Sequence, residues 1–202
     1  STRRSSDLST EEYIYGELPN NYLKGQLEKL PPGKIFLPGD GEGRNAVYAA
    51  QEGWEVSAYD ISSEGKMKAE KLAAKHNVKI DYRVGEIHNL KYQKEQFDVV
   101  ALIYLHLSKP ERVKLTDEIY NLLRPGGLVI VELFSKNHIK YQKINRKAGG
   151  PRNIEYLSST GDIKKEFSKY SVLELKEEVI DLFEGDYHNG TASVVRFTGR
   201  KQ

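Results

Sequence analysis

The strongest chemical signal in the chain is the run Gly39-Asp40-Gly41-Glu42-Gly43, with Asp60 about twenty positions further on. Glycines in a turn let the backbone pass close to a bound adenosine or amino-acid group, because no Cβ stands in the way. A carboxylate at that distance accepts hydrogen bonds from ribose hydroxyls. Three glycines alone describe an ordinary tight turn, so it is Asp60 that makes the run a candidate nucleoside site. The spacing narrows the ligand. A dinucleotide fingerprint wants glycine at its first, third and sixth positions, and the sixth position here is Arg44. No Gly-Lys-Ser/Thr follows, so the phosphate loop of nucleotide hydrolases is missing too. The pattern G-x-G-x-G suits a ligand without a pyrophosphate and favours S-adenosylmethionine over a nicotinamide cofactor.

Such a turn works only if a strand leads into it and a helix leads out. Lys34 to Pro38 reads as that strand, and Arg44 to Glu52 as the helix, with Ala46, Val47 and Ala50 on one face. Glu55 to Tyr59 is a second strand that ends at Asp60, followed by a helix carrying Ala69, Leu72, Ala73 and His76. Lys79 to Val84 and Phe97 to Tyr104 are the third and fourth strands; the fourth is almost continuously apolar, as a strand covered on both faces must be. A helix near Glu111 to Leu123 stops at Arg124-Pro125-Gly126-Gly127, and Leu128 to Phe134 is the fifth strand. Ser159 and Asp162 form a capping box for a short helix through Phe167. Val172 to Phe183 and Thr191 to Gly199 then pair as an antiparallel hairpin. This alternation predicts an α/β fold: a doubly wound, seven-stranded, mostly parallel sheet ending in an antiparallel hairpin.

These residues resemble the class I S-adenosylmethionine-dependent methyltransferases, with their Rossmann-like fold. They look most similar to a bacterial branch related to the tellurite-resistance and thiopurine methyltransferases. The resemblance runs from about Tyr13 to the end. It rests on Tyr15-Gly16-Glu17-Leu18-Pro19-Asn20, Pro38 to Ala46, Tyr59-Asp60-Ile61-Ser62, His106-Leu107, Leu123 to Gly127, Gly149-Gly150-Pro151, and Glu184-Gly185 with His188 and Gly190. It implies a methyltransferase that binds S-adenosylmethionine and releases S-adenosylhomocysteine. Gly39, Gly41 and Gly43 would line the methionine part. Asp60 would hold the ribose, with Ile61 packing on the adenine, Glu86 near its amino group and Tyr104 walling the pocket; Asp40, Asn45 and Ile87 would complete the cofactor-binding set. Two positions depart from the family pattern: Leu37 stands where many relatives have an acid, and Asp40 where a small residue or cysteine is usual.

The acceptor side is less legible. Methyl transfer from a sulfonium needs alignment and dryness more than a catalytic group, so no residue is a required base. Tyr104 and His106, at the end of the fourth strand, are the candidates for acceptor contact, His106 being equally open to a packing role. His188 reads as either a surface-turn residue or an acceptor contact. No acid occurs between Leu133 and Ile154, whereas Lys136, Lys140, Lys143, Arg146, Lys147 and Arg152 do, with Tyr141 among them. That segment reads as a solvated loop or as a lid that draws an anionic acceptor through Tyr141 and Arg152.

The expected organisation is a tail at residues 1–12 and one domain at 13–202. Within it, 13–30 form a helical cover, 34–134 the cofactor-binding core and 135–158 the lid. The absence of cysteine excludes disulfides and thiolate chemistry and suits a reducing compartment. No apolar run is long enough to span a bilayer and no leader pattern opens the chain, so the cytoplasm is the expected location. A net charge of +2 does not announce a nucleic-acid binder. The histidines are scattered, so no metal site is expected. A small-molecule acceptor is the expected partner; the other reading is a non-catalytic S-adenosylmethionine-binding sensor.

Overall fold

The computed structural model describes residues 13–202, and the tail expected at residues 1–12 lies outside them. The order of elements is α1 (Asn21–Leu27), β1 (Lys34–Pro38), α2 (Arg44–Gln51), β2 (Glu55–Asp60), α3 (Ser63–Lys75), β3 (Asp81–Val84), β4 (Phe97–Ile103), α4 (Lys109–Leu122), β5 (Leu123–Phe134), α5 (Ile139–Ile144), α6 (Thr160–Glu166), β6 (Tyr170–Phe183) and β7 (Asn189–Lys201). The seven strands form one sheet in the order β3-β2-β1-β4-β5-β7-β6. β1 to β5 pair parallel, while β7 runs antiparallel to both β5 and β6. The doubly wound sheet with its closing hairpin is the fold expected from the sequence.

Chain order reverses between β1 and β4, which opens a crevice at the carboxyl ends of these strands. The two faces of the sheet carry separate apolar layers. One joins Ile35 and Leu37 to Leu23 and Leu27 of α1 and to Ala46 and Ala49 of α2. The other joins Phe36, Val100 and Val129 to Leu115 and Ile119 of α4 and to Ile163 of α6. Alternate residues of one strand thus feed opposite layers, as its pleat requires.

Several boundaries differ from the sequence reading. β5 begins at Leu123, because Leu123 pairs with Phe97 before an irregularity in register, and pairing resumes at Val99 with Leu128. The breaker Arg124 to Gly127 therefore sits inside a bent strand, not ahead of one. The cover is helical only over Asn21–Leu27, capped by the Asn20 side chain, which accepts from Leu23 N. Residues 13–20 form an irregular strap.

Gly43 is the junction that no other residue fits. Its φ is +86°, and a Cβ there would collide with the backbone and Cβ of Ala69 on α3. Gly43→Ala is expected to lower stability by about 1–3 kcal/mol through strain and the lost α2–α3 contact, read as a fall in the thermal midpoint. An unchanged midpoint would mean that the helices separate at no cost.

Candidate active site

The glycine run forms a tight left-handed turn off β1, with φ of +64° at Gly39, +61° at Gly41 and +86° at Gly43. Gly39 N donates to Tyr59 O at 2.8 Å, tying the turn to the end of β2. Asp60, buried at that end, accepts from Gly41 N through Oδ2 at 3.1 Å and from Ser62 N through Oδ1 at 3.2 Å. Each carboxylate oxygen has a second lone pair left over. Tyr82 of β3 donates its hydroxyl to Gly41 O, bracing the turn from the far side.

Beside this turn lies a cleft of about 350 Å³, lined by Gly39, Tyr59, Asp60, Ile61, Glu86, Ile87, His88, Tyr104, Leu105 and Leu107, with residues of α4 at its back. That volume falls within the usual range for small-molecule sites. Leu105 presses on the turn so closely that a Cβ on Gly39 would lie 2.5 Å from its Cδ1. Ile61, 54% exposed, and half-buried Ile87 give the cleft two apolar surfaces beside the carboxylates of Asp60 and Glu86. Apolar faces for a flat base, a carboxylate for diol hydroxyls and bare backbone for an amino-acid tail suit an adenosyl amino acid.

Asp40 and Asn45 serve the frame around the cleft. Asp40 Oδ2 accepts from Ala46 N at 3.2 Å in the first turn of α2, and Asn45 Oδ1 accepts from Asn20 N at 2.9 Å. The strap is held on both sides. Glu42 accepts from Ile14 N, and Arg44 donates to Leu18 O. On the hairpin side, Glu184 accepts from the Asn20 amide at 3.3 Å.

At its inner end the cleft meets a buried aromatic and ionic cluster. Tyr104 stacks on Phe134 at 4.6 Å and meets His188 edge-on at 4.8 Å; His106 also stacks on Phe134, at 5.6 Å. Tyr104 holds φ +49°, a conformation that costs a non-glycine residue about 1–3 kcal/mol. Its N–H donates to Glu132 O at 2.8 Å and its hydroxyl to Glu132 Oε1, so both ends of the residue are held by one residue of β5. Burial, with the carboxylates of Glu132 and Glu184 nearby, raises its pKa well above the usual phenol value. Tyr104 is therefore a neutral wall and donor, not a base. Burial also raises the Glu132 carboxyl, against the opposing pull of Arg196 and the Tyr104 hydroxyl.

His188 corrects the surface-turn reading. It is 3% exposed, packed against Tyr15, Tyr104 and Phe134, with Nδ1 3.4 Å from Glu184. Tyr141 and Arg152 lie apart from the cleft. Tyr141 stands against His138 at 6.4 Å, and Arg152 lines a separate surface pocket. The basic segment is not a bare loop: it contains α5 and three short 3₁₀ turns.

Residues 38–127 match a family model described as a methyltransferase domain. Among curated proteins, the chain is 33% identical over 107 residues to an arsenite methyltransferase of Halobacterium salinarum, covering 50% of this chain and 27% of that one. The chain thus spans about a quarter of that relative's length. Among solved structures, one described in work on the conversion of a disulfide bond into a thioacetal group during echinomycin biosynthesis aligns with a TM-score of 0.77. It is 15% identical and covers 95% of this chain and 85% of that one. TehB from Haemophilus influenzae aligns with a TM-score of 0.71 at 16% identity, over 89% and 61%. At such identities these two show a shared fold. The matched residues include the glycine turn, Asp60, Glu86 and Tyr104, while Glu132, His188 and the strap lie outside them.

Sequence reasoning missed Glu132, His138, Arg44 and Glu184 as buried polar groups, since charged residues are seldom expected inside. The only signal was position: Glu132 interrupts the apolar run of β5, and Glu184 directly follows β6. The Arg44–Glu184 pair is 3.0 Å long, with both side chains 10% exposed or less. Burial pushes the Glu184 carboxyl up, but the His188 hydrogen bond and the Arg44 guanidinium more than offset this and hold it at about 2. With the folded value depressed from 4.5 to about 2, its stabilisation is present above about pH 4.5 and is lost as pH falls towards 2. Glu184→Gln is expected to lower stability at neutral pH by about 3 kcal/mol and to flatten the acid limb of the denaturation profile. An acid limb identical to that of the wild type would show that this carboxylate is not held by its partners.

Proposed function

We propose that the chain is an S-adenosylmethionine-dependent methyltransferase acting on a small-molecule acceptor. The observation that carries this reading is the pairing of Asp60 with the glycine turn at the edge of a cleft of adenosine-like chemistry. The bound cofactor would supply an activated methyl group on a sulfonium. Asp60 would accept from the ribose hydroxyls, Ile61 and Ile87 would flank the adenine, Glu86 would face its amino group, and Gly39 and Gly41 would lie along the methionine part.

Tyr104, with His106 near it, would form the wall at the reacting end. Tyr104 cannot swing away without breaking its bonds to Glu132, so it excludes water and fixes the approach line. Holding both reactants in line is the protein's main contribution, worth up to about 7–11 kcal/mol for a well-aligned pair. No positioned base is required when the acceptor is already nucleophilic. The likeness to an arsenite methyltransferase supports a small acceptor, and the likeness of fold to TehB is compatible with the bacterial branch suggested by the sequence. A location in the cytoplasm goes with this reading; among the described residues no helix is long and apolar enough to cross a membrane.

Calorimetric titration with S-adenosylhomocysteine is expected to show binding that Asp60→Ala weakens by about 1–3 kcal/mol, the cost of leaving buried polar groups unpaired. A sensor would bind equally well and transfer nothing, so a radiolabelled methyl-transfer screen over small anionic and neutral acceptors separates the two. Absence of binding to cofactor and product alike would sink both readings.

A further inference from the structure

The basic segment after β5 makes a second site, on its outer face. A pocket of about 260 Å³ opens between α5 and the irregular segment at residues 149–152, and its lining includes Gln142, Lys143, Arg146, Gly150 and Arg152 but no acid. The three cations are exposed and make no hydrogen bond or ion pair with the described residues. Lys136, earlier in the same segment, differs: it is paired with Asp162 at 2.7 Å.

The backbone here is organised by one amide. Gln142 Nε2 donates to the carbonyls of Gly149, Gly150 and Pro151 at 2.8, 3.0 and 3.1 Å. In a trans peptide the N–H points opposite to the C=O. The N–H groups of Gly150 and Arg152, which share peptides with the Gly149 and Pro151 carbonyls, therefore turn away from Gln142, and neither has an acceptor among the described residues. Three cations without ion-pair partners, around a pocket whose lining holds no acid, supply the charge an oxyanion needs.

The segment is also anchored to the inner cluster. His138, fully buried, accepts from Ser193 N through Nδ1 at 3.2 Å and donates through Nε2 to Gly149 O at 3.0 Å. A Cβ on Gly149 would strike Tyr187 and His188, and one on Gly150 would press on Phe134 at 2.9 Å. An occupant of the outer pocket would thus bear on residues that touch Tyr104.

We propose that this pocket binds an oxyanion, a phosphate or carboxylate, held by Arg146, Arg152 and Lys143, and that the same group arrives either free or as the tail of a larger organic molecule. The site stands whether or not the cleft transfers a methyl group. The test is calorimetric titration of the whole chain with inorganic phosphate and, separately, with phenyl phosphate, on wild type, Arg146→Gln and Arg152→Gln. Each substitution is expected to weaken binding about tenfold, the usual scale for one charge-assisted contact. Asp60→Ala, whose effect belongs to the other cleft, should leave it unchanged. Equal affinity for the two probes identifies a free oxyanion as the ligand; a clear preference for phenyl phosphate identifies a tail. Thermal midpoints of the variants equal to the wild type exclude misfolding. Absence of saturable binding of either probe, or binding that neither arginine variant weakens, would overturn the proposal.

Discussion

The carboxylate of Asp60 is the joint on which the carboxyl edge of the sheet depends. One oxygen takes the N–H of Gly41 and the other that of Ser62, so a single side chain fixes the glycine turn of β1 and the entry to α3 at once. A charged acceptor bonded to backbone donors in a buried place is stronger than a neutral one, and it remains there only because those donors are present. The glycines are the other half of the same constraint. They adopt left-handed backbone conformations that bring Gly41 N within reach, and at Gly43 they let α2 pack against Ala69 of α3. The cleft is the space this arrangement leaves beside it.

A second layer of charge closes the opposite side. Arg44 stands where a dinucleotide-binding turn would have glycine, and its guanidinium is spent on Glu184 of the hairpin and Leu18 of the strap. Helix α2, the N-terminal strap and the β6–β7 connection are thereby joined in one buried network, with His188 packed into it. Glu132 does the same for Tyr104 and Arg196. Such pairs add little net stability over apolar packing, yet removing one partner strands the other. They fix geometry, and the geometry they fix is the inner wall of the cleft.

The core of the fold was legible because its elements carry strong local patterns. β4 is an apolar run, β1 leads straight into the glycine turn, and β2 ends in Asp60. The turn residues Gly39, Gly41 and Gly43 and the acid Asp60 declared themselves by spacing. What stayed hidden depends on distant partners. Nothing local to His188 says that it is buried, because its neighbours Tyr15, Tyr104 and Phe134 come from three remote segments. The start of β5 was misplaced because Pro125 and Gly126 signal a break, whereas pairing with Phe97 carries the strand past them. Likewise, the basic run at 136–152 could be recognised by charge, but its outward-facing pocket depends on Gln142 gathering three carbonyls, which no composition reveals.

The most direct test is methyl nuclear magnetic resonance of isoleucine-labelled protein titrated with S-adenosylhomocysteine. An adenine seated beside Asp60 predicts ring-current shifts at Ile61 and Ile87, with Ile180 and Ile154, far along the chain on other elements, unmoved. Shifts confined to residues outside the Asp60 cleft, or none at saturating ligand, would contradict the assignment of this cleft as the cofactor site.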